Sequence, residues 1–394
     1  MDFIKLSALA RPELKANPYP FYARLRTESP ICRTRFLGWR AWLVTRYRDV
    51  VSLLKDERLT KDKQPAAGWI HFVSGSLTRH MLNADGADHI RLRTLVNKTF
   101  APALVGQLQE RVQGVCHELL DRCETNSNFD LLRAYALPLP LTIIAGLLGI
   151  PLEGLDRFHN RSRTSLSPST ILGVLGAVPD QRLLLAQLRK IVRQRRNEPR
   201  DDLISALVQA EEAGDRLSET ELVAAIFLLV IAGYESTANL IANGALTLIA
   251  NPTALEQLSR TPSLGPSAIE ELLRFTSPLD ISTQRFAKED FRIDSVKIAR
   301  GDAIFAVLGS ANHDETQFNE PDTINLARDP NKHLAFGHGV HFCIGATLAR
   351  VEARIALTTL FQRFPNLRLA KPVESLRWRK SLIVRGLEEL AVTT

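Results

Sequence analysis

The sequence predicts a mainly α-helical protein with small β-sheet regions, organised as one large domain over residues 1–394. Three observations predict it. Apolar residues recur at spacings of three and four from about residue 85 to 250, the period of amphipathic helices. Ile281, Phe291, Ile293, Val296, Ile298, Ile304, Phe305 and Val307 lie among turn residues in 276–310, which reads as a short β-rich stretch. Strand and helix do not alternate along the chain as a doubly wound sheet requires.

Each element follows from local pattern. Pro18-Tyr19-Pro20-Phe21-Tyr22 opens a helix-like stretch through Leu25, and Ala41-Trp42-Leu43-Val44-Thr45 reads as a strand. Between Glu221 and Glu256 the only charged residue is Glu235. Ser218-Glu219-Thr220-Glu221 is a capping box at the start of this segment, and Asn251-Pro252 stops it. The result is a helix ~45 Å long at 1.5 Å per residue. A membrane span has that length, but Glu235, Asn239, Asn243 and Gly244 fall inside it and no aromatic belts flank it. A helix through the centre of a large domain is the better reading. There a lone carboxylate is costly unless it has a partner or a task. Residues 344–363 return to helix.

Composition narrows the function classes. The net charge is +7, from 50 basic and 43 acidic residues. The densest basic run, Arg189, Lys190, Arg193, Arg195, Arg196 and Arg200, is threaded with Leu184, Leu185, Leu188, Ile191 and Val192. That is the solvated face of an amphipathic helix. It lacks the interleaved aromatics of a nucleic-acid surface, and no nucleic-acid partner is expected. The positive charge suits steering of an acidic partner protein. Cys32, Cys116, Cys123 and Cys343 form no Cys-x-x-Cys pair, so neither a zinc knuckle nor a dithiol motif is suggested. Met1 to Ala10 has neither the apolar core of a signal peptide nor that of an anchor. A cytoplasmic protein with no membrane association, most simply a monomer, is expected.

The chemistry concentrates in Ala335-Phe336-Gly337-His338-Gly339-Val340-His341-Phe342-Cys343-Ile344-Gly345. Two glycines before the cysteine permit tight turns and close approach to a flat ligand. Cys343 stands at the mouth of a helix whose Leu348, Val351 and Ile355 share a face. Orphan N–H groups there favour the thiolate. Gly345 leaves space beside the sulfur. A buried structural cysteine is the plain alternative. A zinc site from His338, His341 and Cys343 is another, although it lacks a second ligand cluster.

The string Phe336-Gly337-x-Gly-x-His341-x-Cys343-x-Gly345 resembles the heme-binding loop of the cytochrome P-450 family. Three further features fall in the order that family shows. Glu271-Leu272-Leu273-Arg274 resembles its buried Glu-x-x-Arg pair. Ala232-Gly233-Tyr234-Glu235-Ser236-Thr237 is similar to its central-helix motif beside the oxygen site, with Ser236 where the alcohol is usually Thr. His89-Ile90-Arg91-Leu92-Arg93 resembles its His-x-x-x-Arg.

The resemblance implies the family fold around a buried heme b. It implies Cys343 as the iron ligand, and Phe336 and Gly345 against the porphyrin. His341, His89, Arg93 and Arg285 become partners of the propionates. Glu235, Ser236 and Thr237 become the proton-supplying group. It also implies a monooxygenase acting on a small apolar substrate. Ala232, Leu166, Leu279 and Ile281, with the 61–84 loop, the 150–190 helices and residues 278–282, would line the pocket. Electrons would come from a ferredoxin or flavodoxin with its reductase, docking near Lys332, Arg350 and Arg354. A heme-thiolate peroxygenase, an isomerase-type enzyme and a non-catalytic heme-binding protein stay open as alternatives.

Overall fold

A computed structural model describes residues 3–36, 38–61, 79–99, 102–125, 127–151, 171–209 and 217–394. In chain order the elements are α1 (Pro12–Ala16), α2 (Tyr19–Glu28), β1 (Ile31–Phe36), β2 (Trp39–Val44), α3 (Tyr47–Lys55), β3 (Leu59–Thr60), α4 (Gly86–Thr99), α5 (Pro102–Glu124) and β4 (Asn128–Asp130). There follow α6 (Pro138–Leu148), α7 (Ile171–Asn197), α8 (Leu203–Gln209), α9 (Glu219–Ala250), α10 (Pro252–Arg260) and α11 (Gly265–Thr276). The chain then forms β5 (Arg285–Ala287), β6 (Phe291–Ile293), β7 (Val296–Ile298), β8 (Ala303–Ala306), α12 (Leu308–Ala311), α13 (Ala346–Arg363), β9 (Arg368–Leu369) and β10 (Ala391–Thr393). The mainly helical class with small sheets is the one the sequence predicts. β1, β3, β4 and the C-terminal strands β9 and β10 are additions to it.

The chain divides into two compact units, one of Met1–Leu59, Leu108–Pro140 and Glu235–Thr394, the other of Thr60–Gln107 and Leu141–Tyr234. In the first, a five-stranded sheet runs β1-β2-β8-β5-β3, with β2 and β8 parallel and β1 antiparallel to β2. β8 reads Ala303-Ile304-Phe305-Ala306 with no polar position because both its faces are covered. Ala303 and Phe305 join a core with Leu9, Tyr22, Leu25, Leu43, Ile281 and Leu382. Ile304 and Ala306 join another with Val44, Val50, Leu53, Leu308 and Leu334. Edge strand β1 instead alternates, turning Arg33 and Arg35 outward and Cys32 and Thr34 inward.

In the second unit α8 packs on α7 and α4. The buried stripe of α7 is Leu184, Leu185, Leu188 and Val192, as its spacing predicts. Arg195 departs from the solvated face: it is buried, pairs with Asp202 at 2.5 Å and donates to the Gly149 carbonyl.

The capping box of α9 is formed as expected. The Ser218 N–H and hydroxyl both donate to Glu221 Oε2, at 2.9 and 2.8 Å. α9 is long and apolar enough to cross a membrane, yet 67% of its most apolar window is buried inside the protein. It is a core helix. At Gly244 a Cβ would meet Leu357 at 3.1 Å and Leu272 at 3.3 Å, so a small residue there admits α13 and α11 close to α9.

The Glu-x-x-Arg of α11 is wholly buried, with both side chains at 0% exposure. Arg274 clasps Glu271 through two hydrogen bonds of 2.8 Å and donates to the carbonyls of Asn312 and Pro321. Glu271 in turn accepts from the Asn325 N–H, Arg328 and Asn331. One ion pair thus pins residues 312–331, the irregular stretch that delivers the chain to the Cys343 loop. Glu271→Gln leaves two guanidinium groups without their carboxylate. We expect a loss of about 3–5 kcal/mol, checked by denaturant unfolding. A loss below about 1 kcal/mol would show that the network is dispensable.

On α13 the carboxyl of Glu352 is buried, with Oε2 lacking a hydrogen-bond partner. Burial pushes it up to about 8, against 4.5 for a free group. Folding therefore takes up a proton between those values. This contribution is full below pH 4.5, is lost as pH rises toward 8, and falls by ~1.4 kcal/mol per pH unit between them. Glu352→Gln should abolish that slope and be more stable than the parent at pH 8. Denaturation of both proteins across pH 5–8 checks it, and parallel curves would refute it.

Candidate active site

The Cys343 loop is shaped by its backbone. Gly337 and Gly339 adopt φ of +71° and +73°, values that side chains disfavour. At Gly339 a Cβ would also stand 2.8 Å from the Leu54 carbonyl of α3, so the position is closed to other residues twice over. The Gly337 N–H donates to Leu334 and the Cys343 N–H to Phe336, at 2.8 and 2.9 Å, which closes the loop on itself. Gly345 caps α13, with its carbonyl accepting from the Ala349 N–H. The sulfur thus lies two residues before a helix cap, as predicted.

Of the four cysteines only Cys343 is exposed. Burial pushes the thiol of Cys32 up to about 12 and that of Cys116 to about 11, and raises Cys123. Those three are inert packing residues, and Cys343 is the one accessible thiol.

Glu270, next to the buried pair, clamps the loop from outside. It takes two hydrogen bonds from Arg350, at 2.6 and 2.8 Å, and sits 3.1 Å from His333 Nε2. Burial pushes this carboxyl up, but Arg350 and His333 outweigh it and hold it at about 2. The Arg350 guanidinium also covers the Phe336 ring at 4.5 Å. Arg350, one of the cations expected to meet a docking partner, is thus also paired within the protein, with its side chain 36% exposed. Lys332 is exposed, and Arg354 is half-buried.

α9 carries a polar stripe at spacing four. Glu235 is buried and forms an ion pair with Arg379. The Asn239 amide fills the space that a Cβ on Gly386 would need. The Asn243 amide donates to the Arg385 carbonyl at 2.9 Å. All three face residues 379–386, so the lone carboxylate of the apolar helix has a partner that the sequence did not reveal. A polar residue every fourth position was the available signal. Around the motif, Tyr234 and Thr237 are buried, Ser236 is half-buried and Ala232 is exposed. At Gly233 a Cβ would meet Ile144 at 3.3 Å.

Arg285 is buried in β5, paired in register with Ile304 of β8. His341 ends a short 3-10 turn, Gly339–His341. His89, buried, and Arg93, half-buried, stand one turn apart on α4, in the other unit from Cys343. Leu279 is half-buried and bridges Val384. Ile281 is corrected: its side chain is spent on the core with Leu9, Tyr22 and Phe305. Leu166 lies outside the described residues.

Among the described residues no three His, Cys, Asp or Glu side chains come together as a metal-ligand cluster, the grouping a zinc site needs. The donor set does fit an iron porphyrin with one axial thiolate. The thiol is exposed at a helix entrance, and a Cβ on Gly345 would meet nothing within 4 Å, which leaves a flat ring room beside the sulfur.

Comparison with known proteins agrees. A family model described as Cytochrome P-450 matches residues 181–260 and 264–383. The chain is 43% identical to cytochrome P-450 107B1 of Saccharopolyspora erythraea, over 94% of this chain and 93% of that protein. The solved cytochrome P-450 PksS of the Bacillus subtilis 168 bacillaene polyketide synthase superposes with a TM-score of 0.91 at 39% identity, covering 98% of each chain. The cytochrome P-450 BioI, solved with an acyl carrier protein ligated to hexadec-9Z-enoic acid, superposes at 0.89 and 35% identity, over 97% of this chain and 99% of that one. An accessible thiol at the entrance of α13, the glycine-shaped loop around it and these matches make the chain a member of the cytochrome P-450 family, a heme b monooxygenase of the bacterial type.

Proposed function

We propose that this chain inserts one oxygen atom from dioxygen into a C–H or C=C bond of a small apolar molecule, with electrons from a separate ferredoxin or flavodoxin and its reductase. The observation that carries the reading is the single exposed thiol, Cys343, on a loop pinned by Glu270 and Glu271. Heme b, held through the Cys343 thiolate, supplies dioxygen activation and oxygen-atom transfer.

The rest is done by side chains of this chain. N–H groups at the entrance of α13 favour the thiolate and temper its electron donation. Arg285 and His341 would neutralise the propionates, and the His-x-x-x-Arg resemblance gives His89 and Arg93 of α4 the same role. Glu235 gathers protons and passes them to the Ser236 hydroxyl. Thr237 is buried, which favours Ser236 as the relaying alcohol. Arg379 pairs with Glu235 and fixes where its carboxylate stands on α9. Since the family match runs across both compact units, we read residues 1–394 as one functional domain.

Ala232 and Leu279 are the pocket residues this reading retains. The names of PksS and the acyl carrier complex of BioI favour a polyketide or fatty acyl substrate. The electron donor would dock on the face that exposes Val340, Phe342 and Lys332.

Cys343→Ala should abolish the thiolate-type ferrous–CO Soret band and all turnover, and retention of that band would refute the ligand assignment. Glu235→Gln should keep the band and lower turnover on the order of a hundredfold under saturating electron supply. Unchanged turnover would remove Glu235 from the relay. Product from peroxide alone, with none from reductase and dioxygen, would make the protein a peroxygenase.

A further inference from the structure

The ammonium of Lys15 lies where three segments distant in sequence meet. Lys15 is wholly buried, and its Nζ donates to Asp280 Oδ2 at 2.6 Å and to the Leu382 carbonyl at 3.2 Å. The Tyr22 hydroxyl donates to the same Asp280 oxygen at 2.7 Å. Behind the carboxylate stands Gly309, where a Cβ would come within 2.2 Å of Asp280 Oδ1. Arg385 completes the clasp, donating to the carbonyls of Lys15, Ala16 and Thr276.

The two segments tied by this ammonium are the irregular stretches 278–282 and 381–385. They pair over a short span only. Leu279 and Val384 form one isolated bridge, the Arg385 N–H donates to the Pro278 carbonyl at 3.0 Å, and the N–H groups of Asp280 and Ile281 share the Ile383 carbonyl at 2.8 and 3.3 Å. A ladder this short does not fix its own register. A cation that touches the carboxylate of one segment and a carbonyl of the other does. A buried ion pair is often replaceable by apolar residues at little cost in stability, so stability alone gives no reason for it.

We propose that Lys15 is a specificity-positioning residue, its ammonium between Asp280 and the Leu382 carbonyl setting the register of the Leu279–Val384 bridge beside the substrate space. This rests on the reading of Leu279 as a wall of that space. Lys15 touches no substrate. It acts through Leu279, from a helix more than 260 residues away in sequence.

The test uses heme-loaded protein and two iron ligands, imidazole and the bulkier 4-phenylimidazole, titrated by the Soret shift. Lys15→Met/Asp280→Leu removes both charges together. We expect its Tm within about 3 °C of the parent and an unchanged imidazole Kd. The ratio of the 4-phenylimidazole Kd to the imidazole Kd should shift about tenfold. A ratio within about twofold of the parent overturns the proposal. Should the double variant fail to fold, Tyr22→Phe removes one hydrogen bond from Asp280, and an unmoved ratio there overturns it equally. Leu279→Ala separates the premises. If that variant leaves the ratio unmoved, Leu279 is no wall and the proposal falls with it. A parent protein that shows no imidazole shift fails at heme ligation instead.

Discussion

Two charges with no access to water hold the proximal side of this protein together. Glu271 and Arg274 are both fully buried, and between them they bind the backbone at Asn312, Pro321 and Asn325 and the side chains of Arg328 and Asn331. A stretch without helix or strand cannot satisfy its own polar groups, and a buried one must borrow partners. Here it borrows them from one helical turn. Glu270, the preceding residue, faces the other way and secures Arg350 and His333. Neighbouring carboxylates on α11 thus fix both the approach to the Cys343 loop and its departure into α13. The sulfur sits on a loop of positive-φ glycines that could not hold its shape unaided.

The same logic governs α9. An apolar helix of this length tolerates a carboxylate only with compensation. Glu235 receives it from Arg379, and Asn239 and Asn243 extend the contact along residues 379–386. One stripe of the central helix therefore tethers the C-terminal segment that, through residues 383–385, pairs with residues 278–281. The proposed proton-supplying carboxylate and the proposed substrate wall thus share a support. A change in residues 379–386 reaches Glu235 through Arg379, and Asn243 through the Arg385 carbonyl.

What the sequence made legible follows the range of the interaction. The capping box of α9, the amphipathic face of α7 and the glycines before Cys343 are encoded within a few residues, and each stands where local pattern puts it. Strand β1 escaped because its outward face carries Arg33 and Arg35, which dilutes the apolar signal of an edge strand. Arg379 escaped because 144 residues separate it from Glu235. Ile281 was misplaced for a related reason: an apolar residue beside a proposed pocket reads the same whether it faces the pocket or the core. The pairing of Arg350 with Glu270, 80 residues earlier, was hidden for the same reason as that of Arg379.

Buried ion pairs recur in this protein beside irregular chain, as Glu271–Arg274, Glu235–Arg379, Lys15–Asp280 and, in the other unit, Arg195–Asp202. Taken as stabilising contacts they would be a poor choice, since desolvation offsets most of their attraction. Taken as joints they make sense. An apolar contact tolerates sliding by an ångström, whereas a charge-assisted hydrogen bond loses strength steeply with distance and angle. A protein that must hold side chains on distant segments in fixed relation gains from such joints at the segments that lack regular structure of their own. The helices and the five-stranded sheet, held by backbone ladders and apolar cores, need them much less.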